Sequence, residues 1–260
     1  MEPLVSVILP SYNRFDSLLN SIKSINEQTH KNIEIIVIND GSTDKRYDEY
    51  VFDNNVNLIS FKENSVNLKG YFSDSIRNYG ITESKGKYIA FLDDDDYWFP
   101  NKIEKQIDKL ENTKFKISTS EAFTGYGAFN NDKEYKLYNQ DVHFNEISKI
   151  YKKSRLKNHF TKKFLFKFYY PEIWDINFIK VHNCIITSSL IVESELIKKI
   201  GGFREIQTKN HYSDYDCWLG LLSHSDCYYF SEPLLYYDMT KGMNIDCLLY
   251  TSDAADDVEC

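Results

Sequence analysis

The segment Lys87–Asp96 reads KYIAFLDDDD, a mostly apolar run of one strand's length followed at once by four carboxylates. A strand apolar on both faces belongs in a parallel sheet covered by helices on either side. The same grammar recurs outward from this point. Val5–Leu9 (VSVIL) is stopped by Pro10, Ile33–Ile38 (IEIIVI) is stopped by Asn39-Asp40-Gly41-Ser42, and Val56–Phe61 is a third run. Between them Leu18, Leu19, Ile22 and Ile25 repeat at helical spacing after Asp16, a candidate N-cap. Further helices are expected over Thr43–Phe52 and from about Tyr71 to Thr82. This alternation predicts an α/β fold with a doubly wound, mostly parallel sheet and right-handed crossovers. Ligands of such sheets gather at the carboxyl ends of the strands. Here those ends carry Pro10-Ser11-Tyr12-Asn13, Asn39-Asp40-Gly41 and Asp93–Asp96.

Composition narrows the class. The chain has 260 residues, 42% of them hydrophobic and 27% charged, which suits one soluble domain, and its 20 Tyr and 17 Phe make it rich in aromatic rings. A net charge of −8 speaks against a general nucleic-acid binder, which needs a broad cationic face. No apolar run reaches the ~20 residues of a membrane span, and the start Met1-Glu2-Pro3 lacks the features of a secretion signal, so a cytoplasmic location is expected. Five cysteines at irregular spacing, without a CxxC pair, indicate neither a disulfide framework nor a zinc site.

After the acidic run, Pro100 precedes a helix carrying Ile103, Ile107 and Leu110. Periodicity weakens from about Asn112 to Asn177. It returns with a strand over Cys184–Val192, a helix from Ser194 closed by Gly201-Gly202, a helix from about Asp214 to Ser223 and a strand over Cys227–Phe230. Residues 247–260 begin CLLYTSDAADD, which resembles a translated transposase adapter used in sequencing libraries, and this tail is set aside as not native.

In an extended chain Asp93 and Asp95 point to one side, so their oxygens can converge on a hard cation, Mg²⁺ or Mn²⁺, which relieves their repulsion and keeps positions open for a diphosphate. The plainer alternative is a solvated acidic loop. Asp40 before Gly41 likewise suits a simple Asx turn, and Tyr12 suits packing at a strand end.

The stretches VSVILPSYNR, IEIIVINDGSTD, RNYGI, GKYIAFLDDDDYWFPNKIEKQ, IGGF and DYDCWL, in that order, resemble the signatures of family 2 glycosyltransferases, inverting enzymes of the GT-A fold. The likeness implies a nucleotide-sugar donor, usually a UDP-sugar, in residues 1–111. Residues 112–246 would form a variable insertion and acceptor-binding half of the same domain. Tyr12 matches the residue that stacks on the nucleobase, with Pro10 and Asn13 in the same loop. Asp40 matches the carboxylate that accepts a hydrogen bond from uracil, and Arg77 and Asn78 match an RN element of the donor pocket. Asp93 and Asp95 match the DxD metal pair, and Asp94 the ribose contact. Relatives often carry Asp-Ser-Asp-Asp, so Asp94 in place of the serine leaves open which carboxylates ligate. Asp214 matches the general base, with Asp216 as substitute; the Glu expected before it is Ser213. Asp214 also suits an N-cap.

The expected reaction is metal-dependent inverting transfer to a saccharide or lipid-linked saccharide acceptor in surface polysaccharide or glycolipid synthesis. The alternative is a catalytically inactive sugar-nucleotide binding protein. Residues 149–170 carry eight Lys or Arg and no acid among interleaved Phe and Tyr, which suits peripheral contact with anionic lipid headgroups or, equally, a solvated helix face.

Overall fold

The structure is a computed structural model that describes residues 2–69, 76–144, 170–204 and 213–240. The basic stretch 149–169 and the suspected tail lie outside these residues. Ten strands form one sheet: β1 (Val5–Ser11), β2 (Ile33–Asn39), β3 (Val56–Ser60), β4 (Tyr88–Phe91), β5 (Tyr97–Trp98), β6 (Ile117–Gly125), β7 (Lys136–Leu137), β8 (Ile173–Trp174), β9 (Ile191–Glu193) and β10 (Cys227–Asp238). Their order is β3-β2-β1-β4-β9-β6-β10-β5, with β7 paired to β6 and β8 to β10. The first four strands are parallel. β9 runs against both β4 and β6, and β10 runs parallel to β6. Two reversals restore direction, so β1, β2, β4, β6 and β10 all end at the same edge.

Among the described residues five helices precede β6: α1 (Phe15–Asn26), α2 (Arg46–Glu49), α3 (Ser65–Lys69), α4 (Arg77–Glu83) and α5 (Lys102–Glu111). Alternate residues of β1 enter different cores. Val5, Val7 and Leu9 join Leu18, Ile22 and Ile25 of α1 and Ile103 and Ile107 of α5. Ile8 joins Ile36, Ile38, Ile81, Phe91, Phe203 and Trp218 on the other face. Each fully buried aliphatic or aromatic side chain contributes about 1.5–3 kcal/mol. α4 comes close because Gly80 has no Cβ; one there would stand 2.7 Å from Ile8 Cγ2. Gly41, at φ +69°, ends the β2 loop where a Cβ would collide with the Glu63 backbone at 2.3 Å.

Several expectations change. α1 starts at Phe15 with Arg14 as its N-cap residue, so Asp16 lies in the first turn and favours the helix dipole without capping it. The helix expected over Thr43–Phe52 is only Arg46–Glu49, because Tyr50 is already extended. The one expected from Tyr71 starts, where described, at Arg77 after Ile76 as its N-cap residue. Of Cys184–Val192, only Ile191 and Val192 belong to a strand, β9, while Thr187–Ser189 is a 3-10 turn. β10 extends from Cys227 to Asp238, accommodating Pro233 at shifts of register.

The largest omission is β6, whose sequence ISTSEAFTG has no apolar run. Among the described residues, most of its buried polar side chains are bonded, the Ser120 hydroxyl being the exception. Ser118 Oγ accepts from Gln106 Nε2, Thr119 bonds Ser189, and the Glu121 carboxylate accepts from Asn139 N, Gln140 N and Tyr229 Oη. β9 lies between β4 and β6, and β5 pairs with β10, so the halves 1–111 and 112–246 share one sheet. Cys184 and Cys227 are buried free thiols. No helix among the described residues is long and apolar enough to cross a membrane.

Candidate active site

Pro10 and Ser11 close β1 opposite Ile38 and Asn39 of β2. Asn13 adopts φ 51°, a conformation Asn tolerates, and tacks the two loops together. Its backbone N donates to Ser42 Oγ at 3.0 Å, and its Oδ1 accepts from Thr43 N at 2.9 Å. Tyr12 beside it is 41% exposed, with its ring available to a ligand. In the second loop it is Asn39 that bonds the backbone, its Oδ1 accepting from Ser42 N three residues on, in place of the Asx turn considered for Asp40. Asp40 instead receives Ser65 N at 2.9 Å, Ser65 Oγ at 2.8 Å and Asn64 Nδ2 at 3.1 Å. A carboxylate has about four acceptor positions, so one remains.

The acidic run is a turn, not a continued strand. β4 ends at Phe91, and Asp96 N donates to Asp93 O at 3.1 Å. The strand alternation expected to align Asp93 with Asp95 therefore does not apply, and each acid takes its own partners. Asp93 receives Arg77 Nη2 at 2.6 Å. Asp94, 3% exposed, receives Ser11 Oγ at 2.7 Å and Arg14 Nη1 at 2.8 Å. Asp95 receives the same Arg14 nitrogen. Asp96 is buried, and accepts from Ser188 Oγ and from Asp238 N.

Two relays reach into this turn. Asp93 N donates to Ser188 Oγ, which donates to Asp96; Arg14 N donates to Tyr47 Oη, which bonds Ser11, which donates to Asp94. Burial pushes Asp94 up to about 7, against the pull of Arg14 and Ser11. Burial and then Asp93 raise Asp95, with Arg14 opposing and Asp238 adding to the rise. Burial above all holds Asp96 well above the usual carboxylate range.

Three carboxylates, Asp93, Asp94 and Asp95, thus meet the two guanidinium groups of Arg14 and Arg77 with Asp96 buried behind them, and the surplus of oxygen donors fits a hard divalent ion. Among the described residues no three His, Cys, Asp or Glu side chains are placed to hold a metal by themselves. An ion on Asp93 and Asp95 would complete its shell from water or a diphosphate, as Mg²⁺ commonly does.

Asn78 clamps the backbone of Phe203, with Nδ2 donating to its O at 2.7 Å and Oδ1 accepting from its N at 2.9 Å. The RN element and the IGGF turn are joined in this way, and the Asn78 amide faces that joint. Phe203 and Trp218 pack with Phe91 in the core, at ring separations of 5.3 and 6.4 Å. Trp218 belongs to the helix Ser213–Leu222, so the helix that starts beside Asp214 is seated under the strand leading into the acidic turn. Asp214 is half-buried, and its Oδ1 accepts from Tyr215 N at 2.6 Å. Asp216 is held by Nε and Nη2 of Arg204.

Arg14, Ser11, Tyr47, Ser188 and Asp238 were not singled out from the sequence. Arg14 was within reach of such reasoning, since four consecutive acids require a counter-ion. Ser188 and Asp238 carry no local signal.

The edge geometry agrees with the comparisons to known proteins. The profile of Glycosyl transferase family 2 matches residues 6–193. An uncharacterised glycosyltransferase of Rickettsia typhi is 35% identical over 238 residues, covering 90% of this chain and 63% of its own length. The UDP-Glc:alpha-D-GlcNAc-diphosphoundecaprenol beta-1,3-glucosyltransferase WfaP of Escherichia coli is 41% identical over 117 residues, 45% of each chain. The chain thus spans under two thirds of these relatives. Among solved structures, S. aureus TarS 1-349 in complex with UDP-GlcNAc superposes with a TM-score of 0.64 at 17% identity, covering 94% of this chain and 60% of that one. The mannosyltransferase PcManGT from Pyrobaculum calidifontis, in complex with GDP-Man and Mn²⁺, gives 0.61 at 15%, covering 93% and 59%. The expected GT-A fold is therefore the fold observed. With its sheet order, its acidic turn and the matched profile in agreement, the chain belongs to glycosyl transferase family 2.

Proposed function

We propose that this chain is a metal-dependent, inverting glycosyltransferase that moves a sugar from a UDP donor to a saccharide or lipid-linked saccharide acceptor in surface polysaccharide or glycolipid synthesis. The observation that carries the reading is the acidic turn, held between Arg14 and Arg77 at the edge where the Tyr12 and Asp40 loops also end. Tyr12 stacks on the base, and Asp40 uses its remaining acceptor position on the uracil ring. Asp94 is too enclosed by Ser11 and Arg14 to reach a ribose without displacing one of them, so its first role is to anchor the turn. Asp93 and Asp95 would hold the divalent ion, which would supply positive charge to the leaving diphosphate.

The acceptor oxygen attacks the anomeric carbon from the face opposite the diphosphate. As that bond forms, the hydroxyl proton passes to Asp214, and the bond to the diphosphate oxygen breaks with its electron pair leaving on UDP. Asp214 is favoured over Asp216 because it stands at the position of the family's Asp at the start of the helix Ser213–Leu222. The basic stretch 149–170 would then meet anionic headgroups around a lipid-linked acceptor.

Calorimetry tests the donor site. UDP is expected to bind in the presence of Mn²⁺, and to lose that affinity when a chelator is added. Equal UDP affinity with and without chelator would remove the metal, and absence of UDP binding would remove the donor assignment.

A further inference from the structure

A single guanidinium nitrogen serves two carboxylates of the acidic turn. Arg14 Nη1 lies 2.8 Å from Asp94 Oδ1 and 2.5 Å from Asp95 Oδ2. The two acids are not equally dependent on it. Asp94 is enclosed and keeps a second donor in Ser11. The Asp95 side chain, 19% exposed, has Arg14 as its side-chain partner among the described residues. A divalent ion that takes Asp95 as a ligand comes to lie beside the Arg14 guanidinium on the same carboxylate, and their like charges favour displacing the arginine.

The arginine is built to be displaced without being lost. Its backbone N is held by Tyr47 Oη at 3.1 Å, at the start of the relay that ends on Asp94, so the main chain stays in place when the side chain moves. The side chain is 31% exposed, and so has room to swing. Arg77 differs. It is buried, lies over the Phe203 ring at 5.8 Å and keeps Asp93 at 2.6 Å, which makes it a fixed counter-ion.

We infer that Arg14 is an exchangeable counter-ion of the donor site, bound to Asp95 until a divalent ion replaces it and then paired with the nucleoside diphosphate. This inference rests on the donor-site reading above. Its physical basis is a like-for-like exchange: the guanidinium fork that leaves a carboxylate suits the oxygens of a phosphate, which it can engage through two parallel hydrogen bonds. The exchange makes the two ligands cooperative. Metal alone must either lie against the Arg14 charge or break its pair with no compensation, and diphosphate alone meets the negative charge of the acidic turn. When both bind, each freed charge finds a partner, so each raises the affinity of the other by the same factor.

Arg14→Gln separates this role from a structural one, because the exchange predicts opposite signs for two ligands. Titrated with Mn²⁺ alone, Arg14→Gln is expected to bind about ten- to a hundredfold more tightly than the unaltered chain, the equivalent of one charge-assisted hydrogen bond no longer opposing the metal. Titrated with UDP under saturating Mn²⁺, the same variant is expected to bind about tenfold or more weakly. Arg14→Lys, which keeps the charge but not the fork, falls between them on Mn²⁺. A role confined to holding the loop would weaken both ligands together and lower the melting temperature, and that result overturns the inference. Unchanged Mn²⁺ affinity in both variants also overturns it; if UDP still binds the unaltered chain with Mn²⁺, the donor-site reading survives. Failure of the unaltered chain to bind UDP with Mn²⁺ removes both.

Discussion

Asp214→Asn is expected to leave UDP binding unchanged and to lower turnover by about 10²–10⁴-fold, the usual contribution of a positioned general base. The substitution is close to isosteric. The oxygen that accepts from Tyr215 N is retained, so the start of the helix Ser213–Leu222 should be preserved. What disappears is an atom able to take the acceptor proton. The control is Asp216→Asn, which breaks an ion pair with the exposed Arg204; such pairs contribute about 0–1 kcal/mol, and transfer should continue. Steady-state rates with a radiolabelled donor, alongside calorimetry, read both quantities. If Asp216→Asn abolishes transfer while Asp214→Asn retains it, the base is misassigned. A protein that only binds sugar nucleotides would show no transfer before either change.

Asp95→Asn and Asp96→Ala should fail in different ways, although the two acids are neighbours in an unbroken run. Asp95→Asn is expected to reduce turnover by about 10²-fold or more through lost electrostatic support of the leaving group, with stability altered by about 1 kcal/mol or less because Arg14 keeps Asp94. Asp96→Ala is expected to lower the unfolding free energy by about 2–6 kcal/mol. It strips the acceptor from Asp238 N and from Ser188 Oγ, two buried donors, at about 1–3 kcal/mol each. Ser188 also holds Asp93 N, so the turn that presents Asp93 and Asp95 would loosen with it. Urea denaturation followed by circular dichroism distinguishes the pair. Asp96→Ala as stable as the unaltered chain would refute the anchoring role, and Asp95→Asn with undiminished Mn²⁺-dependent turnover would refute the ligand role.

The architecture of the N-terminal half was legible in the chain because it is written in short-range patterns. β1, β2 and β4 are apolar runs ended by turn residues, and their parallel order follows from the helices between them. The convergence of Tyr12, Asp40 and the acidic turn on one edge follows from that order alone. Runs that break the apolar rule were not legible. β6 is a central strand that carries Ser, Thr and Glu between its few apolar residues, and most of these buried polar groups are bonded by Gln106, Ser189, Asn139, Gln140 and Tyr229 arriving from elsewhere.

The same reason divides the acidic run. Four adjacent aspartates are chemically alike in one dimension, and spacing suggested a division by strand alternation. The turn replaced that with a division by partner: Ser11 lies 83 residues from Asp94, and Asp238 lies 142 residues from Asp96. Local propensity can announce that a strand ends in charge, since that depends on neighbours within a few positions. Which carboxylate anchors the fold and which faces a ligand depends on donors brought together only when the sheet closes, and no local pattern encodes those distances.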